Sequence, residues 1–345
     1  MANKNMKKLK LEDIAKKLNL SKATISRAVN PQTRDLIKKD TLIKIDKFIK
    51  KYNYVPNRSA QMLSTQKSNT IGLLIQFDPD VFLSGYMIDL LAGVVDELRK
   101  TNYDLKIIPI DVAKDSCDMD NIFASNALDG MVVLNWRVYK DIAERLKTGL
   151  DKNIILINDY YKGIKANILY FDGQDSGYKA TEYLINKGCR KIAHLKGSLG
   201  SYDVEGRLKG YNKALDVYKL KKDKNLVVTA HFDEKQAYQH VKTLLSKYKK
   251  IDGIFCSNDG MAISAIKALK DLGIKCPDQV KVIGCDGIKL GEHLTPSLTT
   301  VSGNLQKIGR LAVEKLLGIL KESKNKKFNY IKEKYDTSII ERESV

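Results

Sequence analysis

The chain has 345 residues, 43% of them hydrophobic and 29% charged, with a formal net charge of +19. That length and apolar content suit two or three domains with sizeable cores. No stretch approaches the about 18 apolar residues of a membrane span, so neither a membrane-spanning helix nor a membrane partner is expected. The N-terminus, M-A-N-K-N-M-K-K-L-K, has the charge of a signal peptide without an apolar segment after it, so a cytoplasmic location is expected. Five cysteines, at 117, 189, 256, 276 and 285, form no C-x-x-C pair, and the four histidines lack ligand spacing. Neither a disulfide framework, nor a metal site, nor a cofactor is expected. The charge is uneven: residues 1–70 hold 17 Lys and Arg against 5 Asp and Glu, an excess of +12. A basic head on a milder body points to a polyanion met by the head.

Leu11, Ile14, Ala15 and Leu18 recur at the spacing of one buried helix face. Asn19-Leu20-Ser21 breaks the period, and Ser21 is a good N-cap for a second helix with Ile25, Ala28 and Val29 inward. Lys22, Ala23, Ser26 and Arg27 are left on its outer side, a small cationic face that suits a DNA major groove. A generic helical hairpin is the plainer alternative. Leu42, Ile45, Phe48, Ile49 and Tyr52 mark a third helix, with Asp40 or Thr41 as its cap. Residues 1–55 thus form an all-α head. Residues 56–69 read as a linker in which Pro56 stops what precedes it and Asn57 can cap a short helix from Arg58 to Leu63. A helix that short is marginal alone.

From Thr70 the texture changes. T-I-G-L-L-I-Q, L-K-I-I-P-I, D-G-M-V-V-L and N-I-I-L-I-N read as strands, with helical stretches between them, including 88–98. After Asp172 the alternation restarts, with helices over 175–187, 205–217, 234–247 and 259–272. Strands K-I-A-H-L, L-V-V-T, G-I-F-C and K-V-I-G-C separate them. Such alternation predicts an α/β class, with parallel sheets in two similar subdomains and ligands at the carboxyl ends of the strands. The D-G pairs, at 129, 172, 252, 259 and 286, are turn chemistry, with Asp172 and Asp259 as helix caps. No G-x-G-x-x-G, P-loop, H-E-x-x-H or nucleophile-elbow motif is present, so no enzyme is expected.

The run D-I-A-K-K-L-N-L-S-K-A-T-I-S-R-A-V-N and the following Y-N-Y-V-P-N-R-S-A-Q-M-L resemble the lactose/galactose-repressor family. So do I-N-K-G-C-R-K-I-A-H-L-K-G (185–197), R-L-K-G-Y-N-K-A-L (207–215), the long run from Cys256 to Gly287, and P-S-L-T-T-V (296–301). The resemblance spans nearly the whole chain. It implies a helix-turn-helix head joined by a hinge helix to a periplasmic-binding-protein-like core. The core would run from 70 to 345, with one subdomain of about 70–170 and 299–325 and a second of about 171–298 and 326–345. It further implies a transcriptional regulator, a repressor, that binds a palindromic double-stranded DNA operator as a homodimer. A small-molecule effector, a sugar or sugar phosphate, would control it from the cleft between subdomains. A second branch of the family uses a phosphorylated carrier protein as corepressor.

By the same resemblance Lys22, Ala23 and Arg27 occupy base-reading positions. Lys and Arg donate to guanine and Ala touches a thymine methyl. Ser21, Thr24 and Asn30 reach phosphates. Asn57, Arg58 and Ala60 belong to the DNA-binding hinge, and Leu63 matches a wedge that unstacks bases in the minor groove; otherwise Leu63 is the buried side of a short helix. In the core, Arg207 falls where the family grips its effector, Asp286 at an acidic strand end, and Asn158 and Asn258 at polar cleft positions. Phe232 matches an aromatic on which a ring can stack, or is an ordinary core Phe. Tyr86 lies in S-G-Y-M where relatives often read N-P-F-F, so ligand identity does not carry over. Asn135 sits beside Trp136 at a strand end.

Overall fold

The computed structural model describes residues 9–30, 33–54, 67–76, 81–110, 127–134, 146–148, 153–158, 164–198, 202–322 and 328–345. Asn57, Arg58, Ala60, Leu63 and Asn135 lie outside them. Two compact units divide the chain, residues 1–68 and 69–345.

Among the described residues the first unit holds three α-helices, α1 (Leu11–Leu18), α2 (Lys22–Val29) and α3 (Lys39–Tyr52). Ile14, Ala15, Ile25, Ala28, Ile45 and Tyr54 form its core. The left-handed Asn19 (φ 51°) ends α1, its N–H bonding to the carbonyls of Ala15 and Lys16. Two residues later Ser21 Oγ accepts from the Thr24 N–H at 3.0 Å and opens α2. The cap expected for α3 is different. The helix begins at Lys39, before both Asp40 and Thr41, and no side chain caps it. Asp40 still lies in the first turn, where the helix dipole favours a carboxylate. Arg34, invisible to periodicity, closes the other end of α2 by donating to the Ala28 carbonyl at 2.8 Å and pairing with Asp46.

The second unit holds two six-stranded sheets. The first comprises β1 (Thr70–Gln76), β2 (Asp104–Ile110), β3 (Gly130–Leu134), β4 (Ile154–Ile157), β5 (Asn167–Phe171) and β11 (Lys332–Tyr335), in the order β2-β1-β3-β4-β5-β11. The second comprises β6 (Ile192–Lys196), β7 (Val227–Thr229), β8 (Gly253–Cys256), β9 (Lys281–Asp286), β10 (Thr299–Ser302) and β12 (Ser338–Ile340), in the order β7-β6-β8-β9-β10-β12. Pairing is parallel throughout except β10 with β12. The central β3, β4 and β8 are buried along their whole length, as strands covered on both faces must be. In each sheet the winding reverses beside the first strand, which opens a crevice at the carboxyl ends there.

Helices α4 (Gly85–Leu98) and α9 (Leu305–Lys321) cover one face of the first sheet. Helices α5 (Gly173–Asn186) and α6 (Tyr202–Val217) cover one face of the second, and α7 (Glu234–Lys247) and α8 (Asp259–Asp271) the other. No helix among the described residues is long and apolar enough to cross a membrane.

Two subdomain boundaries differ from expectation. The expected first subdomain includes residues 299–302, yet β10 pairs with β9, Thr299 opposite Ile283. The chain therefore passes to the first sheet's core between Ser302 and Leu305. The expected second subdomain resumes at about 326, yet β11 pairs with β5, Lys332 opposite Ile168, and the return comes only between Tyr335 and Ser338. The reason is local. Thr299 and Thr300 are fully buried, but their hydroxyls are satisfied by the Arg342 carbonyl and by Asp259, so polar residues serve in a sheet interior. K-E-K-Y is a charged edge strand without an apolar signature.

Helices α5 and α6 cross almost in backbone contact. A Cβ on Gly177 would lie 2.1 Å from the Arg207 carbonyl oxygen, and one on Gly210 2.1 Å from that of Gln174. Two glycines four apart on each helix, 173 and 177 against 206 and 210, make the contact. Gly177→Ala is expected to lose about 1–3 kcal/mol by overpacking, although Ala is the better helix former. Gly318, on α9 with nothing within 4 Å, is the control. Urea titration of both Ala variants checks this: equal stabilities would mean that the α5–α6 contact yields freely.

Candidate functional site

The carboxyl ends of the two sheets carry the polar groups of the second unit. Arg207 stands on α6 and is 6% exposed. Its Nη2 donates to Asp203 Oδ2 at 2.7 Å, one helical turn earlier. Its Nη1 donates to the carbonyl of Ser257, immediately after β8. Burial opposes the guanidinium charge, but the Asp203 and Asp286 carboxylates more than offset this and raise its pKa. Tyr86, on α4, accepts a 2.7 Å hydrogen bond from Asn158 Nδ2, just beyond β4. Burial raises the Tyr86 pKa, and the Asp286 and Asp203 charges act in the same sense. Residues from both subdomains thus face one another electrostatically.

Among the described residues, five buried side-chain atoms have no hydrogen-bond partner, and three belong to this set: Arg207 Nε, Ser257 Oγ and Asn158 Oδ1. A buried orphan donor or acceptor is costly, and these three stand on α6 or directly after β8 and β4, at the carboxyl ends of the two sheets.

Asp259 corrects an expectation. It does not cap α8; Asn258 does, its Oδ1 accepting from the Met261 N–H at 2.9 Å. The Asp259 carboxylate instead accepts from the N–H groups of Gly287 (2.9 Å) and Ile288 (2.8 Å) and from the Thr300 hydroxyl (2.6 Å). It pins the β9 exit, where Asp286 stands. Burial pushes the Asp259 carboxyl up to about 6 despite these donors. Burial, with Asp259 close by, raises Asp286 well above the ordinary carboxylate range. The better-bonded Asp259 is the ionised partner, and Asp286 holds its proton to higher pH. Asp172 caps α5 as expected, accepting from the N–H groups of Gln174 and Asp175.

The sequence-derived candidates separate into groups. Tyr86, Asn158, Arg207 and Asp286 are brought together. Asn258 is at the crevice, with its carbonyl oxygen spent on the helix cap. Phe232 takes a left-handed backbone (φ 62°), strained for an aromatic residue. Its ring lies so close to Gly197 that a Cβ there would come within 2.2 Å, and it packs against the second sheet's core. Asp203 and Ser257 are not among the sequence-derived candidates, and Asp259 figures there only as a helix cap. Asp203 had a legible signal, an acid four residues before an Arg on a helix.

In the first unit Lys22, Ala23 and Arg27 are exposed on α2. Lys22 Nζ pairs with Glu12 at 2.7 Å, and this Lys holds the Glu12 pKa down. Both side chains are largely exposed, so the pair is weak and open to exchange. Ser21 and Thr24 bond each other through their hydroxyls at 2.8 Å. Asn30 is the C-cap of α2.

Residues 10–57 match the family described as bacterial regulatory proteins, lacI family, and residues 181–345 match the periplasmic binding protein-like domain. A protein of Bacillus subtilis (strain 168), the "Probable HTH-type transcriptional repressor ExuR", is 31% identical over 339 residues, covering 97% of this chain and 98% of its own. A crystal structure of the lac repressor dimer bound to operator and the anti-inducer ONPF aligns with TM-score 0.79 at 20% identity, over 98% of this chain and 99% of that one. The complex of the transcriptional regulator CelR with cellobiose aligns with TM-score 0.72 at 21% identity, over 98% and 100%. With a full-length relative above 30% identity and the same two domains in the same order, this chain belongs to the lacI family of transcriptional regulators, which are not enzymes.

Proposed function

We propose that this regulator is a repressor that binds a two-fold symmetric operator as a homodimer and responds to a small molecule held between the two sheets. The observation that carries this reading is the joining, in one chain, of a capped, exposed cationic helix to a buried crevice with orphaned hydrogen-bonding groups. Arg27 and Lys22 offer guanine contacts, and Ala23 between them keeps the face small enough to enter a major groove. An apolar face supports dimerisation. Ile88 and Val95, seven residues apart on α4, are 51% and 46% exposed, and Leu83 (78%) and Leu290 (56%) are also bare. Such a face fits a second copy of itself. The ligand named for CelR and the operator-bound dimer named for the lac repressor support the same reading.

Effector and DNA would be coupled through one equilibrium, each changing the other's affinity by the same factor. Selection from a random duplex library with the full chain is expected to enrich a symmetric sequence. Arg27→Ala should then lose about 1–3 kcal/mol on that sequence, relax its preference at one base pair per half-site, and shift binding to random DNA by a single salt-slope unit or less. Failure to enrich a symmetric site overturns the reading. A regulator driven by a phosphorylated carrier protein would enrich the site yet leave every small-molecule titration flat.

A further inference from the structure

We infer that Asp203 sets the charge class of the effector, so that the crevice admits neutral polyhydroxylated molecules and rejects those bearing a carboxylate or phosphate. The inference rests on the effector-site reading above. A guanidinium grips an anion best through two parallel N–H donors. In this chain both terminal nitrogens of Arg207 are engaged, Nη2 by Asp203 and Nη1 by the Ser257 carbonyl, and the orphan is Nε. The Nε–H suits one hydroxyl or ring oxygen. A ligand carboxylate or phosphate would have to compete with Asp203, which already neutralises the guanidinium and takes one of its N–H donors. Asp203 is itself an internal anion, 2.7 Å from Arg207 Nη2. Its side chain is 14% exposed and that of Arg207 8%, so water does little to screen them.

An incoming anion would face the Asp203 carboxylate in a poorly solvated site, where like-charge contact disfavours binding. A neutral polyol meets no such repulsion. Its hydroxyls can donate to Asp286 and Asp203 and accept from Arg207 Nε and Ser257 Oγ. Asp203 is thus a specificity residue that acts by occupying Arg207.

Isothermal titration of the full chain tests this. The probes are ribose, glucose, galactose and cellobiose against galacturonate, glucose 6-phosphate and inorganic phosphate. The native chain is expected to bind a neutral sugar and no anion. Asp203→Asn, which keeps the shape and removes the charge, should gain about tenfold or more in affinity for galacturonate or inorganic phosphate. Asp203→Glu should not gain. Asp203→Ser provides the same loss of charge should the Asn variant fail to fold. Anion binding by the native chain that depends on Arg207, or no gain in either neutral variant, overturns the inference while leaving the crevice as the site. Sugar binding that survives in Arg207→Met would instead remove the crevice as the effector site.

Discussion

Arg207→Met is expected to abolish the effector response and to cost about 3–5 kcal/mol of stability in the second unit. Breaking a buried pair leaves the surviving charge without compensation, and that penalty exceeds the worth of the pair. Here the survivor is Asp203, which burial already pushes upward and Arg207 holds down. The Ser257 carbonyl also loses its donor. Without Arg207 the Asp203 pKa rises further, so the variant regains stability as pH falls through the new value. The double variant Arg207→Met, Asp203→Leu removes both charges and should recover most of the stability but none of the response. Denaturant titration beside effector titration separates the two roles. If the double variant is as unstable as the single one, the pair is not what holds α6 to the β8 exit.

The second large effect concerns pH. His194 lies on β6 with no exposed surface, between the rings of Phe255 and Tyr211 at 4.5 and 5.2 Å. Its Nδ1–H donates to the Phe255 carbonyl at 3.1 Å, and Nε2 has no partner among the described residues. Burial lowers its pKa from 6.5 to about 3, so the folded ring stays neutral. The sign follows. Above about 6.5 neither state binds the proton. Below it the unfolded chain does and the folded chain does not, so stability is lost progressively as pH falls towards about 3. At about 1.4 kcal/mol per unit the full loss is about 4–5 kcal/mol. Asp259, raised to about 6, contributes oppositely, stabilising at low pH and losing that contribution as pH rises through about 6. His194→Phe fits the same aromatic stack without a titrating group and should remove this loss, so that the variant gains stability relative to the native chain as pH falls from 6.5 to 4. Urea titrations across that range decide, and parallel pH slopes for the two proteins would exclude His194 as the origin.

Much of this protein is legible in its sequence because the signals are local. Ile14, Ala15, Ile25 and Ala28 repeat at helical spacing, Ser21 caps by its own backbone geometry, and I-I-L-I is a buried strand whatever surrounds it. The outward placement of Lys22, Ala23 and Arg27 follows directly from which residues turn inward. Arg207 and Asp286 entered through resemblance, and the sheet ends do bring them into one crevice. What the sequence could not supply are relations between distant segments. K-E-K-Y carries no apolar pattern, yet pairs with β5 across more than 160 residues, because an edge strand needs only backbone groups. Asp259 looks like a helix cap and is a clamp on the β9 exit, because Asn258 one residue earlier takes the cap and frees its carboxylate. Asp203 and Arg207 have the spacing of a surface helical pair, yet both side chains are largely buried and bonded to each other. Each of these was settled by tertiary structure for one reason. A polar group in the interior must find a partner, and the nearest partner in space is seldom the nearest in sequence.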